Sequence, residues 1–589
     1  MKDFFKYTLA TITGIILASI IFFIIMIAAL SAVVASGDKP VTVSENSILV
    51  LNAGTVIPDR GTENPLSGID FMNMTFTPAP GLNEILRNIR KASADSKIKG
   101  ILIENGLLPS GWATTGEIRE ALLEFRDSGK FVISYTDYLL TQQCYYLSTA
   151  AERIYVNPDA MVDFKGLSSE IIFFKNALEK LGIDVQVTRH GKFKGAVEPF
   201  ILDKLSEENK EQIKEYTGSI WKHILGEISE ARGIPAEKLS MLADNLAGNI
   251  AASAWDNKLV DGLLYRDQLI DTLKSLAGVE NNKDLPLVTM TKYGKVPDPA
   301  SVFSTKNRIS VIYAEGNIVL DKGNESNIGG RHYAEVIRKE RLDTAVKAIV
   351  LRVNSPGGNA IASDEIWREL TLAKKVKPVV ISMGNYAASG GYYISCPASR
   401  IYANPVTISG SIGVFGLLPN AGKLMEKKLG LNTETVNTNQ NSDFPSVFRP
   451  MNNYEKEVMQ LSIEKTYSEF VDKVASGRDM SFTEVDNIGQ GRVWSGIGAM
   501  KIGLVDEMGG LKDAIKGAAE LAGIEKYKIK ELPELEDPYT RLLKQLSGDV
   551  RMSILKKEIG ESLVFYKRIM ELKELSGIQA RLPYFIEIR

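Results

Sequence analysis

The stretches YYLSTAAERIYVNP (Tyr145–Pro158) and YYISCPASRIYANP (Tyr392–Pro405) decide the fold, because they are two versions of one sequence, aligned without a gap. They lie 247 residues apart in a chain of 589. Similarity continues on both sides: KIKGILIENG from Lys97 corresponds to AVKAIVLRVN from Ala345, and KLVDG from Lys258 corresponds to GLVDE from Gly503. An internal repeat of this kind indicates two halves that share one fold.

Each half alternates short apolar runs with stretches of helical character. The runs include ILVLNA (Ile48–Ala53) and FVISY (Phe131–Tyr135) in the first half, and RISVIYAEG (Arg308–Gly316) and KAIVLRV (Lys347–Val353) in the second. Strand-like runs separated by helices predict βαβ units. We therefore expect an α/β fold in which helices cover mainly parallel sheets, with a site available at the carboxyl ends of the strands.

The repeat predicts the domain boundaries. Residues 46–285 form the first repeat and residues 308–530 the second, with a proline-containing connector at 286–307. Residues 531–589 have no counterpart and are predicted to form a helical tail. Its helical spacing indicates a face that packs on the body or on a sister subunit, or alternatively lies on a membrane surface. The apolar residues at this spacing are Leu542, Leu543, Leu546, Val550, Ile554 and Leu555.

Residues 1–45 contain a long uncharged segment. From Tyr7 to Gly37 the sequence has no Asp, Glu, Lys or Arg, and as a helix it is long enough to cross about 30 Å of hydrocarbon. We predict an uncleaved transmembrane anchor. A cleaved signal peptide is the alternative, but its apolar region would span only about 7–15 residues. Lys2 and Lys6 precede the segment, which favours a cytoplasmic N-terminus and a body on the outer face.

The composition excludes several classes of function. The 70 Lys and Arg residues nearly balance the 72 Asp and Glu residues, so the net charge of −2 offers no electrostatic reason to expect a nucleic-acid partner. The two cysteines, Cys144 and Cys396, cannot form a disulfide framework and have no metal-site spacing around them. We therefore predict no metal and no cofactor.

Two glycine-rich turns follow strand-like runs in the second half. They are NSPGG (Asn354–Gly358) and SGSIG (Ser409–Gly413). A serine between glycines can be presented to a carbonyl substrate, and backbone N–H groups at Gly358 and after the serine could form an oxyanion hole. The alternative is that both are merely tight turns. Phosphate binding is disfavoured, because neither turn contains GxxxxGK[ST] or GxGxxG.

The first half lacks these features and carries a different one. At the repeat spacing Phe164 occupies the position of Ser411, and the region corresponding to SPGG reads LLPSG. The first half contains instead RHGKFKGAVEPF (Arg189–Phe200), whereas the corresponding NTNQNSDFPSVF of the second half has no lysine. The sequence therefore predicts that the two halves contribute different groups to one site.

A serine nucleophile needs a base, and the chain has three histidines. His223 lies on an amphipathic stretch and His332 in a loop, which favours structural or surface roles. His190 is closer to the candidate segment, but no neighbouring acid is identified that would orient its imidazole. A lysine can serve instead if burial lowers its pKa from about 10.4 toward neutrality. Lys194 has the apolar neighbours that such burial requires, although most lysines in mixed segments are solvated.

Four motifs together resemble the long, duplicated form of the signal peptide peptidase A family, the Ser/Lys peptidases of family S49. They are SPGG, ASGGYY from Ala388, TISGSIG from Thr407, and KFKGAVEPF. The resemblance extends from about Ser47 to Tyr527 and includes the anchor. It implies that Ser411 is the nucleophile, Lys194 rather than Lys192 the general base, and the amides of Gly358 and Ile412 the oxyanion hole.

One position departs from the family pattern. Gly195 follows the base lysine where serine is common, so the sequence does not identify a hydroxyl that supports the amine. The resemblance further implies two tandem domains similar to the crotonase and Clp protease superfamily, assembled as a homotetramer. It also implies a single-pass protein of the bacterial inner membrane, with its body on the periplasmic side. The implied substrates are signal peptides left in the membrane, cleaved through an acyl-enzyme.

Two alternatives of other classes stay open at this stage. A crotonase-like acyl-CoA enzyme would share the fold and the oxyanion geometry, but it has no use for a lysine from a second half or for an anchor. A non-catalytic membrane scaffold of the same fold would be marked by loss of the serine or the lysine. Both residues are present in this chain.

Overall fold

The architecture is known from a computed structural model. It describes residues 4, 6–21, 42–61, 69–70, 75–76, 80–298, 305–324, 326–535 and 578–582.

The first half alternates strands and helices along the chain. Its strands are β1 (Ser47–Ala53), β2 (Ile69–Asp70), β3 (Thr75–Phe76), β4 (Ile98–Asn105), β5 (Phe131–Thr136), β6 (Leu139–Leu140), β7 (Arg153–Val156), β8 (Met161–Val162), β9 (Asp184–Arg189), β10 (Gly262–Leu263) and β11 (Leu287–Thr289). Its helices are α1 (Leu82–Ala94), α2 (Trp112–Asp127), α3 (Gln142–Ser148), α4 (Lys175–Leu181), α5 (Glu198–Ile201), α6 (Glu207–Arg232), α7 (Ala236–Asp244), α8 (Ala251–Asp256), α9 (Arg266–Ala277) and α10 (Met290–Gly294).

The second half follows the same alternation. Its strands are β12 (Arg308–Glu315), β13 (Asn317–Val319), β14 (Asn327–Gly329), β15 (Val346–Ser355), β16 (Gly357–Asn359), β17 (Val379–Ala388), β18 (Arg400–Ala403), β19 (Ile408–Gly410), β20 (Phe415–Asn420), β21 (Val493–Ser495), β22 (Glu507–Met508), β23 (Lys528–Leu532) and β24 (Ile578–Arg581). Its helices are α11 (Gly330–Leu342), α12 (Ala360–Lys374), α13 (Gly390–Ser395), α14 (Asn453–Arg478), α15 (Phe482–Ile488), α16 (Gly496–Lys501) and α17 (Leu511–Leu521).

The two halves are built on sheets with one strand order. The first sheet runs β10-β7-β5-β4-β1-β11, and the corresponding part of the second runs β22-β18-β17-β15-β12-β23. Neighbouring strands in both of these series are parallel. The second sheet also carries β19 beside β17, followed by the antiparallel β21. The predicted α/β fold with an internal repeat is therefore confirmed.

Buried apolar runs explain why the central strands form. In β4 the residues Ile101, Leu102 and Ile103 are fully buried, and Ile349, Val350 and Leu351 of β15 repeat that pattern. A strand that is covered by helices on both faces buries successive residues rather than alternate ones. This arrangement leaves the loops at the strand ends as the places where polar side chains can converge.

A third sheet joins the two halves. Its order is β14-β13-β16-β24-β20-β9, so that β9 of the first half lies against β20 of the second. The two strands pair antiparallel, with Arg189 opposite Phe415 and Asp184 opposite Asn420. Because Lys194 follows β9 closely in the chain, this pairing brings the lysine segment to the second half.

A buried ion cluster also connects the halves. The guanidinium of Arg352 on β15 lies 2.9 Å from Asp59 Oδ1 and 2.7 Å from Glu117 Oε1, both from the first half. Its third partner is the Ser382 hydroxyl at 3.0 Å. Glu117 lies on α2 and also accepts the backbone N–H of Leu511. The charges are enclosed, so each depends on its partners across the boundary between the halves.

The predicted anchor is only partly within the described residues. Residues 6–21 are helical and exposed. Among the helices in the described ranges, none combines the length and the apolar character needed to cross a bilayer. The remainder of the predicted span falls in residues 22–41, outside the described part of the chain.

The predicted helical tail is likewise described only at its edges. The amphipathic stretch Leu542–Leu555 lies outside the described residues. At the start of the tail, β23 continues to Leu532 and pairs with β12. Near its other end, residues Ile578–Arg581 form the strand β24 rather than a helix.

Candidate active site

Three neighbouring strands of the second sheet end at one place. β15, β17 and β19 are parallel, and their carboxyl ends lead into Gly357, Ser389 and Ser411. The N–H of Ser389 donates to the carbonyl of Gly410 at 2.8 Å, which fixes Ser389 beside the turn that carries Ser411. The carboxyl ends of parallel strands are the usual location of sites in α/β folds.

Ser411 is held in an unusual backbone conformation. Its φ is 51°, and Gly410 before it has a φ of 75°. The N–H of Ser411 donates to the carbonyl of Arg492 at 2.6 Å, which ties the turn to the loop before β21. A non-glycine residue in the left-handed region costs free energy and is frequent at functional sites.

Lys194 crosses from the first half to this turn. It follows β9 after a turn at Gly191, and its Nζ lies 2.9 Å from Ser411 Oγ. Two glycines of the second half make room for it. A Cβ at Gly491 would lie 2.7 Å from Lys194 Cα, and a Cβ at Gly413 would lie 3.2 Å from Lys194 Cδ. Larger residues at these positions would displace the lysine.

The amine of Lys194 has three oxygen atoms around it. Besides Ser411 Oγ, Nζ lies 2.8 Å from Ser389 Oγ and 3.1 Å from the Ser411 carbonyl. A neutral amine carries two N–H donors and one lone pair. It can donate to Ser389 Oγ and to the carbonyl while it accepts the hydroxyl proton of Ser411. The three oxygens therefore accommodate a free amine, and they equally match the three donors of an ammonium.

Burial favours that free amine. Lys194 is 0% exposed, and desolvation lowers its pKa well below the usual lysine value. Removing an ammonium from water penalises the charged form, so the proton is lost at lower pH than in solution. Lys194 thus combines a lowered pKa with a position next to a hydroxyl.

Polar side chains of the first half hold the lysine loop in place. Gln212 on α6 donates to the Phe193 carbonyl at 2.9 Å and accepts the N–H of Val493 on β21 at 3.0 Å. Glu198 is fully buried and accepts hydrogen bonds from Ser206 and Asn209. These contacts fix the loop on both sides of Lys194 and connect it to the second half.

The two predicted oxyanion donors each lie next to one of the site's serines. Gly358 belongs to β16 and is paired with Ile318 of β13. A Cβ at Gly390, the residue after Ser389, would lie 3.0 Å from the Gly358 nitrogen. Ile412 is buried, and its carbonyl accepts the N–H of Gly491 at 2.7 Å. The backbone of both residues is thus fixed around Ser389 and Ser411.

The other candidates have partners of their own. His190 Nδ1 lies 2.5 Å from Glu464 Oε2, and its ring stacks on Tyr467 with centroids 3.7 Å apart. The sequence did not identify this acid, because Glu464 comes from α14 of the other half. His223 lies 3.8 Å from Glu227, and burial lowers its pKa.

Three further predicted positions lie in different surroundings. The ring of His332 makes an edge contact with Tyr333. Lys192 is exposed, in contrast to Lys194. Phe164, which replaces the serine in the first half, is a core residue packed on Tyr145 and Trp221. Among the described residues there is no group of three or more His, Cys, Asp or Glu that could hold a metal ion.

Ser389 is the site residue that sequence reasoning missed. The motif ASGGYY contains it, but no role was predicted for its hydroxyl. A signal was present in the repeat, because the positions of Ser389, Gly390 and Gly391 read Gln142, Gln143 and Cys144 in the first half. Ser389 also has a φ of 55°, and its Oγ lies 3.4 Å from the Gly413 carbonyl. It supplies the hydroxyl that Gly195 does not.

Comparisons with known proteins agree with the repeat. Residues 124–280 and 371–525 both match Peptidase family S49. Protease 4 of Haemophilus influenzae is 34% identical over 512 residues, covering 85% of this chain and 83% of the relative. Protease 4 of Salmonella typhi is 35% identical over 520 residues, which cover 85% of this chain and 83% of the relative. The chloroplastic serine protease SPPA of Arabidopsis thaliana is 34% identical over 524 residues, which cover 87% of this chain and 76% of the relative.

Proposed function

Because this chain belongs to peptidase family S49 and is a serine protease that acts on peptide substrates, we propose that Ser411 is its nucleophile and Lys194 its general base. The observation that carries this assignment is the 2.9 Å contact between Lys194 Nζ and Ser411 Oγ inside a buried site. Family membership leaves the acyl-CoA enzyme and the non-catalytic scaffold without support.

The reaction begins with proton transfer to the lysine. Lys194 as a free amine takes the proton of Ser411 Oγ, which attacks the carbonyl carbon of a peptide bond. The amides of Gly358 and Ile412 stabilise the negative charge on the carbonyl oxygen. The ammonium of Lys194 then gives its proton to the leaving amine, and an acyl-enzyme ester remains on Ser411.

Hydrolysis of the ester completes the cycle. Lys194, free again, takes a proton from a water molecule that attacks the ester carbonyl, and the proton then returns to Ser411 Oγ. Throughout the cycle the Ser389 hydroxyl accepts an N–H of Lys194, which keeps the lone pair of the amine directed at Ser411. We assign Ser389 as a positioning residue.

The substrates that fit the family resemblance are signal peptides and similar apolar peptides that remain in the membrane. The uncharged segment from Tyr7 to Gly37 supports an anchored enzyme that meets these peptides where they reside. Lys2 and Lys6 before it favour a body on the outer face of a bacterial inner membrane. By the same resemblance the two repeats, 46–285 and 308–530, have crotonase and Clp-like folds and assemble as a homotetramer. The net charge of −2 gives no electrostatic reason to add a nucleic-acid partner.

The test is cleavage of a synthetic signal peptide in detergent micelles by the full chain and by Ser411→Ala. Loss of the hydroxyl removes the nucleophile, so kcat/KM should fall by at least about 10³-fold. Thermal unfolding of both proteins checks that the fold is intact. Normal cleavage by a folded Ser411→Ala protein would exclude Ser411 as the nucleophile.

A further inference from the structure

Residues 489–492 form a loop between the two parts of the candidate site. The loop joins α15 to β21. On one side the Gln490 carbonyl accepts the N–H of Phe193, the residue before the proposed base, at 3.0 Å. On the other side the Arg492 carbonyl accepts the Ser411 N–H at 2.6 Å. A single short loop of the second half therefore contacts both the lysine segment and the serine turn.

The backbone of this loop is packed tightly against both neighbours. A Cβ at Gly491 would lie 2.6 Å from the Lys194 nitrogen, and a Cβ at Gly413 would lie 2.8 Å from Gly491 Cα. The Gly491 N–H also donates to the Ile412 carbonyl at 2.7 Å. Gln490 and Gly491 have φ of 53° and 83°, so two successive residues adopt the left-handed conformation. A shift of this loop would therefore move Lys194 and the serine turn relative to each other.

The Arg492 side chain reaches the same two neighbours. Its Cζ lies 4.7 Å from the centroid of the Phe193 ring and 4.8 Å from the centroid of the Trp494 ring. Phe193 precedes Lys194 in the chain. Trp494 on β21 pairs with Ser409 on β19, the strand that leads to the serine turn. Because a planar guanidinium is attracted to aromatic faces and stacks on them, this side chain connects the lysine segment of the first half to the second sheet.

Two acidic side chains of the first half complete the surroundings of Arg492. Its Nη2 lies 3.5 Å from Glu211 Oε1 and also contacts Glu215 Oε2, both on α6. The Arg492 side chain is only 20% exposed, whereas those of Glu211 and Glu215 are 66% and 49% exposed. Ion pairs with exposed carboxylates contribute little, so the two rings are the main contacts that fix the guanidinium. Within the described part of the chain, Arg492 Nε is buried and has no hydrogen-bond partner, which fits a guanidinium enclosed by rings.

We propose that Arg492 is a positioning residue, which holds Lys194 of the first half against Ser411 of the second through its contacts with Phe193 and Trp494. This inference rests on the proposed function for the roles of Lys194 and Ser411. Proton transfer needs the amine and the hydroxyl at hydrogen-bond distance, and a displacement of about 1 Å can lower the rate about 100-fold. Because Arg492 acts on the alignment of these two groups, the effect of its loss falls on kcat rather than on KM.

The test uses Arg492→Ala in the full chain, which removes the guanidinium but keeps the carbonyl that accepts the Ser411 N–H. For cleavage of a synthetic signal peptide in detergent micelles, kcat should fall about 100-fold while KM stays within about twofold of the parent. Free guanidinium ion at millimolar concentration should enter the space between the two rings and raise kcat of the variant at least about tenfold, whereas sodium chloride should not. A parental kcat in a folded Arg492→Ala protein, or a loss that guanidinium does not restore, would overturn the proposal.

Two matched variants separate the ring contacts from charge alone. Glu215→Gln removes one exposed ion pair and keeps the guanidinium between its rings, so kcat should stay within about twofold of the parent. Lys192 also lies over the Phe193 ring, at 5.2 Å from its centroid, but this contact is made within the lysine segment itself. Lys192→Met should therefore keep kcat within about twofold as well. Losses in these variants equal to that of Arg492→Ala would show that the contacts of Arg492 with the rings do not position the site.

Amide hydrogen exchange tests the same inference without catalysis. In Arg492→Ala the backbone amides of residues 191–195 and 410–413 should exchange faster than in the parent, because both segments lose a contact that fixes them. Unchanged exchange in both segments would overturn the proposal. Normal cleavage by Ser411→Ala would refute the nucleophile assignment without altering this result, so the two proposals fail separately.

Discussion

The two halves of this protein have one strand order but different residues at the ends of their strands. In the second half, the turn after β19 presents Ser411 beside Ser389, whereas the first half has Phe164 and Gln142 at these positions. Phe164 completes an aromatic core. Conversely, Lys194 follows β9 of the first half, while the corresponding segment of the second half, residues 437–448, is largely an exposed loop.

On the proposed assignment, this difference leaves each half with one part of the site. A fold that occurs twice needs its chemistry only once, so the first half can carry the core residue Phe164 where the second half carries Ser411. Such a site requires that the two halves are held in one fixed relative position. Three features hold the halves in this position: the pairing of β9 with β20, the hydrogen bonds of Gln212 to Phe193 and Val493, and the buried ion cluster of Arg352.

The largest effect is expected at Lys194, the group that the second half lacks. Lys194→Met keeps the apolar stem and removes the amine, so kcat/KM for peptide cleavage should fall at least about 10³-fold. Lys192→Met is the matched control, because Lys192 is exposed two residues away, and its activity should stay within about twofold of the parent. Equal losses in the two variants would exclude a specific role for Lys194.

The next effect tests the docking of the halves. Arg352→Met leaves Asp59 and Glu117 buried without their cation, which typically costs about 3–5 kcal/mol. The midpoint of urea unfolding, followed by tryptophan fluorescence, should fall accordingly and activity should be lost with it. Arg331→Met breaks an exposed pair with Asp321 and should leave the midpoint unchanged. A parent-like midpoint for Arg352→Met would show that the cluster does not hold the halves together.

A smaller effect is expected at Ser389. The pH dependence of kcat/KM distinguishes a residue that positions the amine from one that only stabilises the fold. Only the free amine accepts a proton, so kcat/KM should rise as pH increases through the lowered pKa of Lys194. The Ser389 oxygen favours the ammonium, so Ser389→Ala should lower that pKa further and move the acidic limb to lower pH. The maximum should fall about tenfold, equivalent to about 1.4 kcal/mol.

Ser409→Ala is the control for Ser389. Ser409 is also buried on the adjacent strand, but its hydroxyl donates to the Ala387 carbonyl at 2.9 Å rather than contacting the lysine. The acidic limb of the pH profile of kcat/KM for Ser409→Ala should coincide with that of the parent. If Ser389→Ala lowers the rate without moving the limb, then the Ser389 hydroxyl acts on stability and not on the amine.

Much of the fold was predictable because the evidence for it is repeated within the sequence. The matching stretches at Tyr145 and Tyr392 predict two α/β units, and the divided motifs single out Lys194 and Ser411. The acid beside His190 was not predictable, because Glu464 is 274 residues away in the chain. The role of the Ser389 hydroxyl was not predictable for a related reason, since it reaches the lysine only when both halves are docked.

Strand β24 could not be predicted from the sequence, and the reason is physical. Its four residues, IQAR, have no periodicity of their own, and their extended conformation comes from backbone pairing with β16 and β20. Such pairing is decided by tertiary context and not by local propensity. The helical spacing earlier in the tail, from Leu542 to Leu555, led to a helical prediction for the whole segment.

The most direct test of a site shared between the halves is covalent labelling with a fluorophosphonate, located by peptide mass spectrometry. The account predicts a single label on Ser411, with a labelling rate that falls at least about 100-fold in Lys194→Met and is unchanged in Lys192→Met. Labelling of a different serine, or labelling of Ser411 at the parental rate in a folded Lys194→Met protein, would contradict it.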